Sequence, residues 1–385
     1  MSDELSVRAC CALALFSLVC AAQNADPRAA QGYNDKAYVL VQHARDSAKP
    51  ALYAEASGAL DRALELSPAN YEALKLRVAV LLGLHDFSEA LRRGKELNKK
   101  VPDDITIRGY LVDANMALGD YEEAEKEAQW ILDLRRGSTL GFTKAAALRE
   151  AFGDPEGAIE FYNEALLRMS PAEKSERSRL MTRNARLQMA AGNVVKAKEF
   201  LDGALAINPE SQDALAGLAA LAASQGNYTE AVRLSRKRVE QSPGAGNTYD
   251  LAVMLERSGH AAEAEDEYRA FETMARAEME KTLNSNRELV FYYADHRKDA
   301  AQALAIAAKE AENRHDSATL DAWAWALYRI GKLAEAKTQM DRALAPGVRD
   351  NGYFCHAQQI ATAMHDTGAM ERFGNACSDS GTITK

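Results

Sequence analysis

Three arginines carry the clearest chemistry in the sequence: Arg179, Arg183 and Arg186. Their spacings of four and three residues place all three guanidinium groups on one face of a helix. A planar guanidinium can form two parallel hydrogen bonds with one anion, so this arginine stripe would suit a carboxylate, a phosphate or an acidic peptide. The alternative is a solvated face whose arginines pair with neighbouring acids such as Glu176.

Asp321, Trp325 and Tyr328 repeat the spacing of four and three residues further along the chain. If they are exposed, two aromatic rings beside a carboxylate could hold an apolar or basic side chain of a peptide. Trp323 falls on the face that we assign to the core, and a register error of one or two residues would exchange its role with that of Trp325. Core packing of these aromatic residues is therefore the alternative to ligand contact.

The sequence contains no pattern of residues that would support catalysis. Its 7 histidines are scattered over the chain, and His356 and His365 would point to opposite faces of one helix. It has no metal-binding HExxH or paired CxxC motif, no Walker phosphate loop and no nucleophile elbow. We predict a noncatalytic protein that holds no metal and no cofactor.

Charge and composition narrow the class of protein further. The 385 residues carry a formal net charge of -9, which argues against a general nucleic-acid binder because such proteins need a basic surface. Alanine is abundant, only 9 residues are proline, and runs of β-branched residues are missing. These features predict an all-α fold.

The N-terminal stretch has the length and polarity of an export signal. Residues 9–20 form an uncharged apolar run, and Ala21 and Ala22 follow it where a signal would be cleaved. The residues ahead of the run carry more acids than arginines, whereas export signals normally begin with net positive charge. A frayed N-terminal helix or a misplaced start codon is therefore the alternative.

We accordingly predict a signal peptide at residues 1–22, a linker at 23–36, and a periplasmic or secreted protein. Contact with a membrane would then be made only through the N-terminal signal or anchor, and the alternative location is cytoplasmic. Removal of the signal would leave Cys355 and Cys377 as the only cysteines. This pair could form a disulfide that links the two helices of the last hairpin. The alternative, which is the commoner arrangement, is two unpaired buried thiols.

A short sequence motif that recurs along the chain predicts the helices that position these residues. It begins at Gly119, and looser copies begin at Gly192, Gly226 and Gly331. Each copy predicts a tight turn between two helices, because glycine tolerates the left-handed backbone and the Asp or Asn that usually follows can cap the next helix. The chain is therefore expected to be a stack of helical hairpins.

A small residue five positions after each turn sets the period of the stack. These residues are Ala56, Ala90, Ala124 and Ala158, each 34 residues apart, and then Ala197, Ala231, Ala264, Ala303 and Ala336. Bulk at these positions would force neighbouring helices apart. A period of 34 residues with two helices per unit resembles the tetratricopeptide repeat (TPR) family.

The resemblance implies a right-handed α-solenoid of about ten hairpins from a bacterial source. We place units 1–4 at residues 37–172, an inserted loop at 173–177, units 5–10 at 178–378 and a tail at 379–385. The insertion is either a hinge or a tolerated loop. The tryptophan of the family pattern is absent, and Lys298-Asp299 replaces the turn glycine and aspartate of unit 8.

The resemblance also implies where a partner would bind. TPR arrays hold a peptide or a partner helix on a concave surface formed by the first helix of each unit, and both clusters described above map to that surface. The other candidate positions there are Tyr110, Asp113, Lys144 and Tyr249. The clamp with which some TPR domains bind chaperone tails is incomplete, because Gly109 and Asp113 occupy the positions of its first Lys and Asn.

Together these observations predict a noncatalytic scaffold that binds a peptide or a partner protein on its concave face, as an exported or envelope assembly adaptor. No nucleic-acid partner is expected. The alternatives are a cytosolic regulator or co-chaperone and, less in keeping with the sequence, an enzyme subunit.

Overall fold

The structure, a computed structural model, describes residues 27–378 except 48, 281, 282, 284 and 285. The predicted signal peptide with its cleavage point and the tail at 379–385 lie outside the described residues. Within the described part every regular element is helical, so the all-α prediction is confirmed. None of the described helices combines the length and the apolar character that a membrane crossing requires.

The helices follow one another with short connections. Their bounds are α1 (Pro27–Ser47), α2 (Ala51–Leu66), α3 (Tyr71–Gly83), α4 (Phe87–Lys100), α5 (Ile105–Leu118), α6 (Tyr121–Leu134), α7 (Thr139–Ala151), α8 (Pro155–Arg168), α9 (Lys174–Ala190), α10 (Val194–Ile207), α11 (Gln212–Ser224), α12 (Tyr228–Gln241), α13 (Ala245–Arg257), α14 (Ala261–Met279), α15 (Arg287–Phe291), α16 (Ala300–Glu310), α17 (Ser317–Arg329), α18 (Leu333–Leu344), α19 (Asn351–Ala363) and α20 (Thr367–Ser378). A π-helix, Tyr292–His296, continues α15.

The helices pair in chain order into antiparallel hairpins, α1 with α2 through α19 with α20. Each odd-numbered helix is the first of its hairpin and each even-numbered helix the second. Successive helices pack against one another, and first helices of neighbouring hairpins also touch, for example α1 with α3, α3 with α5 and α17 with α19. This nearest-neighbour packing is that of an α-solenoid.

The predicted turns are present and have the predicted backbone. Gly119, Gly192, Gly226 and Gly331 lie in the left-handed region with φ of 79°, 77°, 75° and 82°. Asp120 then caps α6 by accepting a hydrogen bond from the amide of Glu123. The same left-handed position is occupied by residues other than glycine in three other hairpins, namely His85, Lys298 and His365.

The predicted column of small residues lies in the core. Ala56, Ala90, Ala124 and Ala158 are all 0% exposed, and so are their equivalents Ala197, Ala231, Ala303 and Ala336. A methyl group is the largest side chain that these helix crossings accept without displacing a neighbour. The register read from the sequence is therefore confirmed at these positions.

Two predicted boundaries differ from the structure. Residues 27–36 belong to α1 rather than to a linker, because proline suits the first helical position and Ala30 continues the buried face of Ala37, Val41 and Ala44. Most of the inserted segment 173–177 is likewise the first turn of α9, which is 17 residues long. The insertion lengthens that helix.

The unit formed by α15, the π-helix and α16 also departs from the regular repeat. A π-helix accommodates one extra residue per turn, so Tyr292–His296 places one more residue ahead of Lys298-Asp299 than a regular first helix would. The preceding helix α14 extends over 19 residues.

A disulfide joins the last two described helices. Cys355 of α19 and Cys377 of α20 are bonded, with their Cα atoms 4.8 Å apart. The alternative of two unpaired thiols is therefore wrong: the antiparallel hairpin places the start of one helix beside the end of the other.

The array coils back on itself. His315 N donates a hydrogen bond to Ala117 O at 2.9 Å, and Leu283 N donates to Leu84 O at 3.2 Å. Ser242 Oγ donates to Ser47 O, 195 residues away. Roughly this length of chain therefore completes one turn of the coil.

We call this line of contact the seam. On one side it consists of Ser47 and the turns α3–α4, α5–α6 and α7–α8, and on the other of Leu283 and the loops α12–α13, α16–α17 and α18–α19. The seam closes the groove between successive turns of the coil. We call the interior of the coil the lumen.

Candidate functional site

First helices of distant hairpins meet across the lumen. Asp46 at the end of α1 contacts Ser175 and Arg179 of α9, although 129 residues separate Asp46 from Ser175. Lys144 of α7 donates to Asp113 of α5 at 2.5 Å. The inward side chains of these helices therefore line one shared polar surface.

The best-organised group on this surface is built on Glu150, near the end of α7. Its carboxylate accepts hydrogen bonds from Tyr162 Oη at 2.5 Å, from Arg183 Nη1 at 3.2 Å and from Arg186 Nη2 at 2.5 Å. Arg183 Nη1 also donates to Tyr162 Oη at 3.3 Å. We call these four residues the arginine site.

Exposure differs sharply within the arginine site. The side chain of Glu150 is 12% exposed, whereas those of Arg183 and Arg186 are 51% and 70% exposed. Tyr162 is fully buried in the core between α7, α8 and α9. A buried carboxylate and a buried phenol thus hold two guanidinium groups at the surface of the lumen.

The charges of the site are mutually stabilised. Burial by itself would raise the pKa of Glu150, but Arg186 and Arg183 outweigh it, and the pKa lies below its ordinary value. The pKa of Glu176 is lowered in the same way, with burial overcome by Arg179. Both carboxylates are therefore ionised at neutral pH.

The predicted arginine stripe divides into two parts. Arg179 pairs with Glu176, the acid named by the alternative interpretation, while Arg183 and Arg186 share Glu150. Arg179 is 23% exposed, so the part of the stripe open to a ligand is Arg183 and Arg186.

Three further candidate positions lie in the same part of the lumen. Tyr110 is half-buried beside Arg45, and Lys144 is bound to Asp113. Arg183 is close enough to Asp113 for that carboxylate to help raise its pKa, after the larger effect of Tyr162. The structure therefore brings Tyr110, Asp113 and Lys144 near the arginine site.

The second predicted cluster is enclosed rather than exposed. Asp321 and Trp325 are 2% and 4% exposed. Trp325 Nε1 donates to both carboxylate oxygens of Asp295, at 3.0 and 2.9 Å, and the ring of half-buried Tyr328 stacks on that of Trp325. The expectation of an exposed aromatic pair is therefore wrong for Trp325, and Trp323, which was assigned to the core, is only partly buried.

His356 completes this enclosure. Its ring stacks on Trp325 with centroids 4.2 Å apart and on Phe291 at 5.8 Å, and Nδ1 lies 2.8 Å from Asp321 Oδ1. Burial raises the pKa of Asp321, and it raises the pKa of Asp295 as well. We call Phe291, Asp295, Asp321, Trp325 and His356 the acidic–aromatic cluster.

Tyr249 belongs to neither group. Its ring packs against Phe271 and Tyr268, with centroids 4.9 and 6.0 Å apart, in the core beneath α13 and α14. The neighbouring Asp250, whose pKa is raised by burial, receives a hydrogen bond from Arg238 at 2.6 Å. No group of three or more His, Cys, Asp or Glu in the described part of the chain could hold a metal ion.

Several residues of these groups were not singled out in the sequence. Glu150 lies on the same helix as Lys144, at a repeat position that the resemblance already assigns to the concave surface, and could have been included among the candidates. Tyr162 lies on a second helix, four residues after Ala158, where the TPR pattern has an aromatic residue; it was missed because the candidates were taken from first helices. His356 was considered as a metal ligand and not as a partner of Asp321.

Comparison with known proteins supports the repeat array. A sequence model of the tetratricopeptide repeat family matches residues 150–221 and 188–245, which include the arginine site. No curated protein matches the chain.

Solved structures of similar fold cover most of the chain. A chain in the crystal structure of the APC/C hetero-tetramer Cut9-Hcn1 is 13% identical over 83% of this chain and 53% of its own length, with a TM-score of 0.47, so this chain spans about half of that relative. A tetratricopeptide repeat protein from Parabacteroides merdae is 16% identical over 75% of this chain and 98% of its own, with a TM-score of 0.42.

The human IFIT1 dimer with PPP-AAAA is 16% identical over 85% of this chain and 79% of its own, with a TM-score of 0.50. Identities this low indicate a shared fold and nothing finer. The fold is an α-solenoid of the TPR type.

Proposed function

We propose that this chain is a noncatalytic scaffold that binds an acidic segment of a partner protein in its lumen. The observation that carries the proposal is the arginine site, in which Glu150 holds Arg183 and Arg186 in place while both remain accessible. TPR arrays are typically interaction scaffolds, and the fold supports that general role.

The chemistry of the site suits an anionic ligand, and the proposed acidic segment would supply carboxylates. Arg183 uses Nη1 for its contacts with Glu150 and Tyr162, and Arg186 uses Nη2 for Glu150. Each guanidinium has five N–H donors, so several remain for a ligand. Because the shared carboxylate already fixes both arginine side chains, little of their conformational entropy would be lost when a ligand binds.

The binding test uses a fluorescent peptide of about ten glutamates as the probe, followed by fluorescence anisotropy. We expect Arg183→Ser/Arg186→Ser to weaken binding by about tenfold or more, since two charge-assisted hydrogen-bonding groups are lost. The matched control is Arg233→Ser/Arg269→Ser, which removes the same charge from side chains that are 62% and 64% exposed on second helices. Its affinity should equal that of the unaltered protein.

Equal affinity in all three proteins would show that the arginine site is only a solvated face. A lysine peptide of the same length should bind poorly, and stronger binding of that peptide would reverse the proposed partner charge. PPP-AAAA, the ligand named for the human IFIT1 structure, is a useful competitor. If it displaced the glutamate peptide at far lower concentration, the ligand would be a nucleic acid and not an acidic protein segment.

We further propose an exported adaptor that acts in the cell envelope. The apolar run at residues 9–20 and the Cys355–Cys377 disulfide support this location, since structural disulfides persist in oxidising compartments. The test is the intact mass of the protein from fractionated native cells. A mass beginning at Ala22 or Gln23 in the exported fraction is expected, whereas a full-length mass in the cytosol would favour a cytosolic regulator or co-chaperone.

A further inference from the structure

We infer that the seam is a gate: it opens as a unit, without unfolding of any hairpin, and thereby gives a partner lateral access to the lumen. The inference rests on the proposed function only for what enters the lumen. The opening itself is argued from how the seam is held together.

The hydrophobic core does not cross the seam. Every core cluster of the described residues is built from neighbouring hairpins, for example from residues 37–80 at one end of the array and from 320–360 at the other. No described cluster joins the turns of α1–α8 to the loops of α12–α19. Opening the seam would therefore expose little of the apolar surface that stabilises the hairpins.

Hydrogen bonds and ring contacts hold the seam instead. Besides the two backbone bonds given above, Ser317 N donates to Tyr121 Oη at 3.3 Å, and the guanidinium of Arg314 lies 5.6 Å from the centre of the Phe87 ring. Each hydrogen bond contributes little net stability, because water replaces it when the contact opens. A closure of this kind opens far more readily than a packed hairpin unfolds.

The seam is also incompletely packed. A cleft of about 540 Å³ runs between the α5–α6 turn and the loops that face it, and its walls include Tyr121, Phe152, Leu320 and Pro346. The cleft is open to solvent, so the facing surfaces are not packed against each other along its length.

Two turn glycines lie so close to the facing loops that substituting them should disturb the seam. A Cβ atom at Gly119 would lie 2.9 Å from the carbonyl oxygen of His315, and one at Gly153 would overlap the carbonyl oxygen of Gly347. At Gly192 and Gly226, which occupy the same position in their own turns with similar φ, a Cβ atom would meet nothing within 4 Å. An alanine strains the backbone at each position, but only at the seam does it also meet a facing loop.

The experiment compares Gly153→Ala with Gly226→Ala by hydrogen–deuterium exchange of the full chain, without ligand. We expect Gly153→Ala to speed exchange of the His315 and Ser317 amides by about tenfold or more, although the substitution lies in the next hairpin, because the seam opens as a unit. Exchange in the middle of the flanking helices should be unchanged. Gly226→Ala should leave the His315 and Ser317 amides as they are in the unaltered protein.

Tyr121→Phe provides a second variant with no backbone strain, since it removes only the hydroxyl that accepts from Ser317. It should also speed exchange at His315. The inference is overturned if Gly153→Ala leaves the His315 and Ser317 amides unchanged, or if they exchange faster only together with the helix interiors. Because no ligand is present, this result stands apart from the glutamate-peptide test, and either can fail alone.

Discussion

The arginine site and the acidic–aromatic cluster share one sequence pattern but differ in what the fold does with it. Each contains two members of a set of three residues at spacings of four and three on a first helix: Arg179, Arg183 and Arg186 on α9, and Asp321, Trp325 and Tyr328 on α17. In α9 the guanidinium groups of Arg183 and Arg186 reach the lumen, whereas in α17 Trp325 and Asp321 are enclosed. The concave face of the first helix is therefore open to the lumen in α9 and enclosed in α17.

The neighbouring first helices account for this difference. Beside α9, helix α7 contributes a single carboxylate, that of Glu150, which accepts hydrogen bonds from Arg183 and Arg186. Beside α17, the π-helix contributes Asp295 on one side and α19 contributes the imidazole of His356 on the other, and together they cover Trp325. A carboxylate on one side and a stacked imidazole on the other thus enclose a residue of the concave surface, which means that position in the repeat does not by itself indicate a binding residue.

The largest contrast is expected on truncation of the central residue of each group. Trp325→Ala should destabilise the protein by about 3–5 kcal/mol, since it empties a packed site and leaves Asp295 without its donor. Arg186→Ser, at a side chain that is 70% exposed, should cost less than about 1 kcal/mol. Urea unfolding measures both.

Trp325→Phe is the control that separates packing from hydrogen bonding. It keeps an aromatic ring but removes Nε1, so an intermediate loss of about 1–3 kcal/mol is expected. Similar small losses for Trp325→Ala and Arg186→Ser would mean that the acidic–aromatic cluster is no more part of the core than the arginine site.

Loss of the disulfide should affect one of the two groups and spare the other. Cys355 adjoins His356 on α19, and the bond closes a loop of 22 residues. Cys355→Ser/Cys377→Ser should therefore cost about 3 kcal/mol locally and loosen the packing of His356 on Trp325. Hydrogen exchange should quicken in α19 and α20 and remain unchanged in α7 and α9, while equal acceleration of both pairs of helices would contradict a local role.

Whether a feature of the fold can be predicted from the sequence depends on how far apart in the chain its contacting residues lie. The turn at Gly119 and the buried Ala124 follow from residues a few positions apart, and the 34-residue repeat makes them visible. The seam does not follow in the same way, because it depends on small rotations that accumulate over the many residues between Ser47 and Ser242.

The candidate sites show the same division. The arginine stripe was visible as a helical face, but its partition between Glu176 and Glu150 depends on which neighbour each guanidinium reaches. The enclosure of Trp325 depends on the π-helix, which carries Asp295, the acceptor of the indole N–H. A prediction based on the 34-residue period does not detect such a local departure from the repeat.

The two groups should also respond to pH in opposite directions. The pKa of Glu150 is lowered by Arg186 and Arg183 against the effect of burial, so its contribution to stability is present above its unfolded value of about 4.3 and is lost as the pH falls through the folded value. The pKa of His356 is raised, since Asp321 outweighs burial. That contribution is complete below about pH 6.5 and is lost as the pH rises through the folded value.

Hydrogen exchange, corrected for the intrinsic pH dependence of the rate, measures this for each helix separately. Protection of α9 should decline on acidification, whereas protection of α17 and α19 should decline from neutral to mildly alkaline pH. Glu150→Gln should abolish the first trend and His356→Gln the second. Parallel trends in the two halves would mean that neither charged group governs the stability of its own region.

The smallest expected effect concerns the turn that supports the acidic–aromatic cluster. Lys298 adopts the left-handed backbone with φ of 57°, at the position that glycine occupies in most other hairpins. Such a conformation costs a residue with a Cβ atom about 1 kcal/mol. Lys298→Gly should therefore stabilise the hairpin that contains Asp295 by up to about 1 kcal/mol, measured as slower exchange in α16, with no change at the arginine site.

The control is Lys298→Ala, which removes the long side chain but keeps the Cβ atom and hence the strain. It should give no gain, because only glycine relieves the backbone. If alanine stabilised the hairpin as much as glycine does, the lysine side chain would be responsible. The irregular unit would then differ from its neighbours in its surface contacts and not in the turn that follows its π-helix.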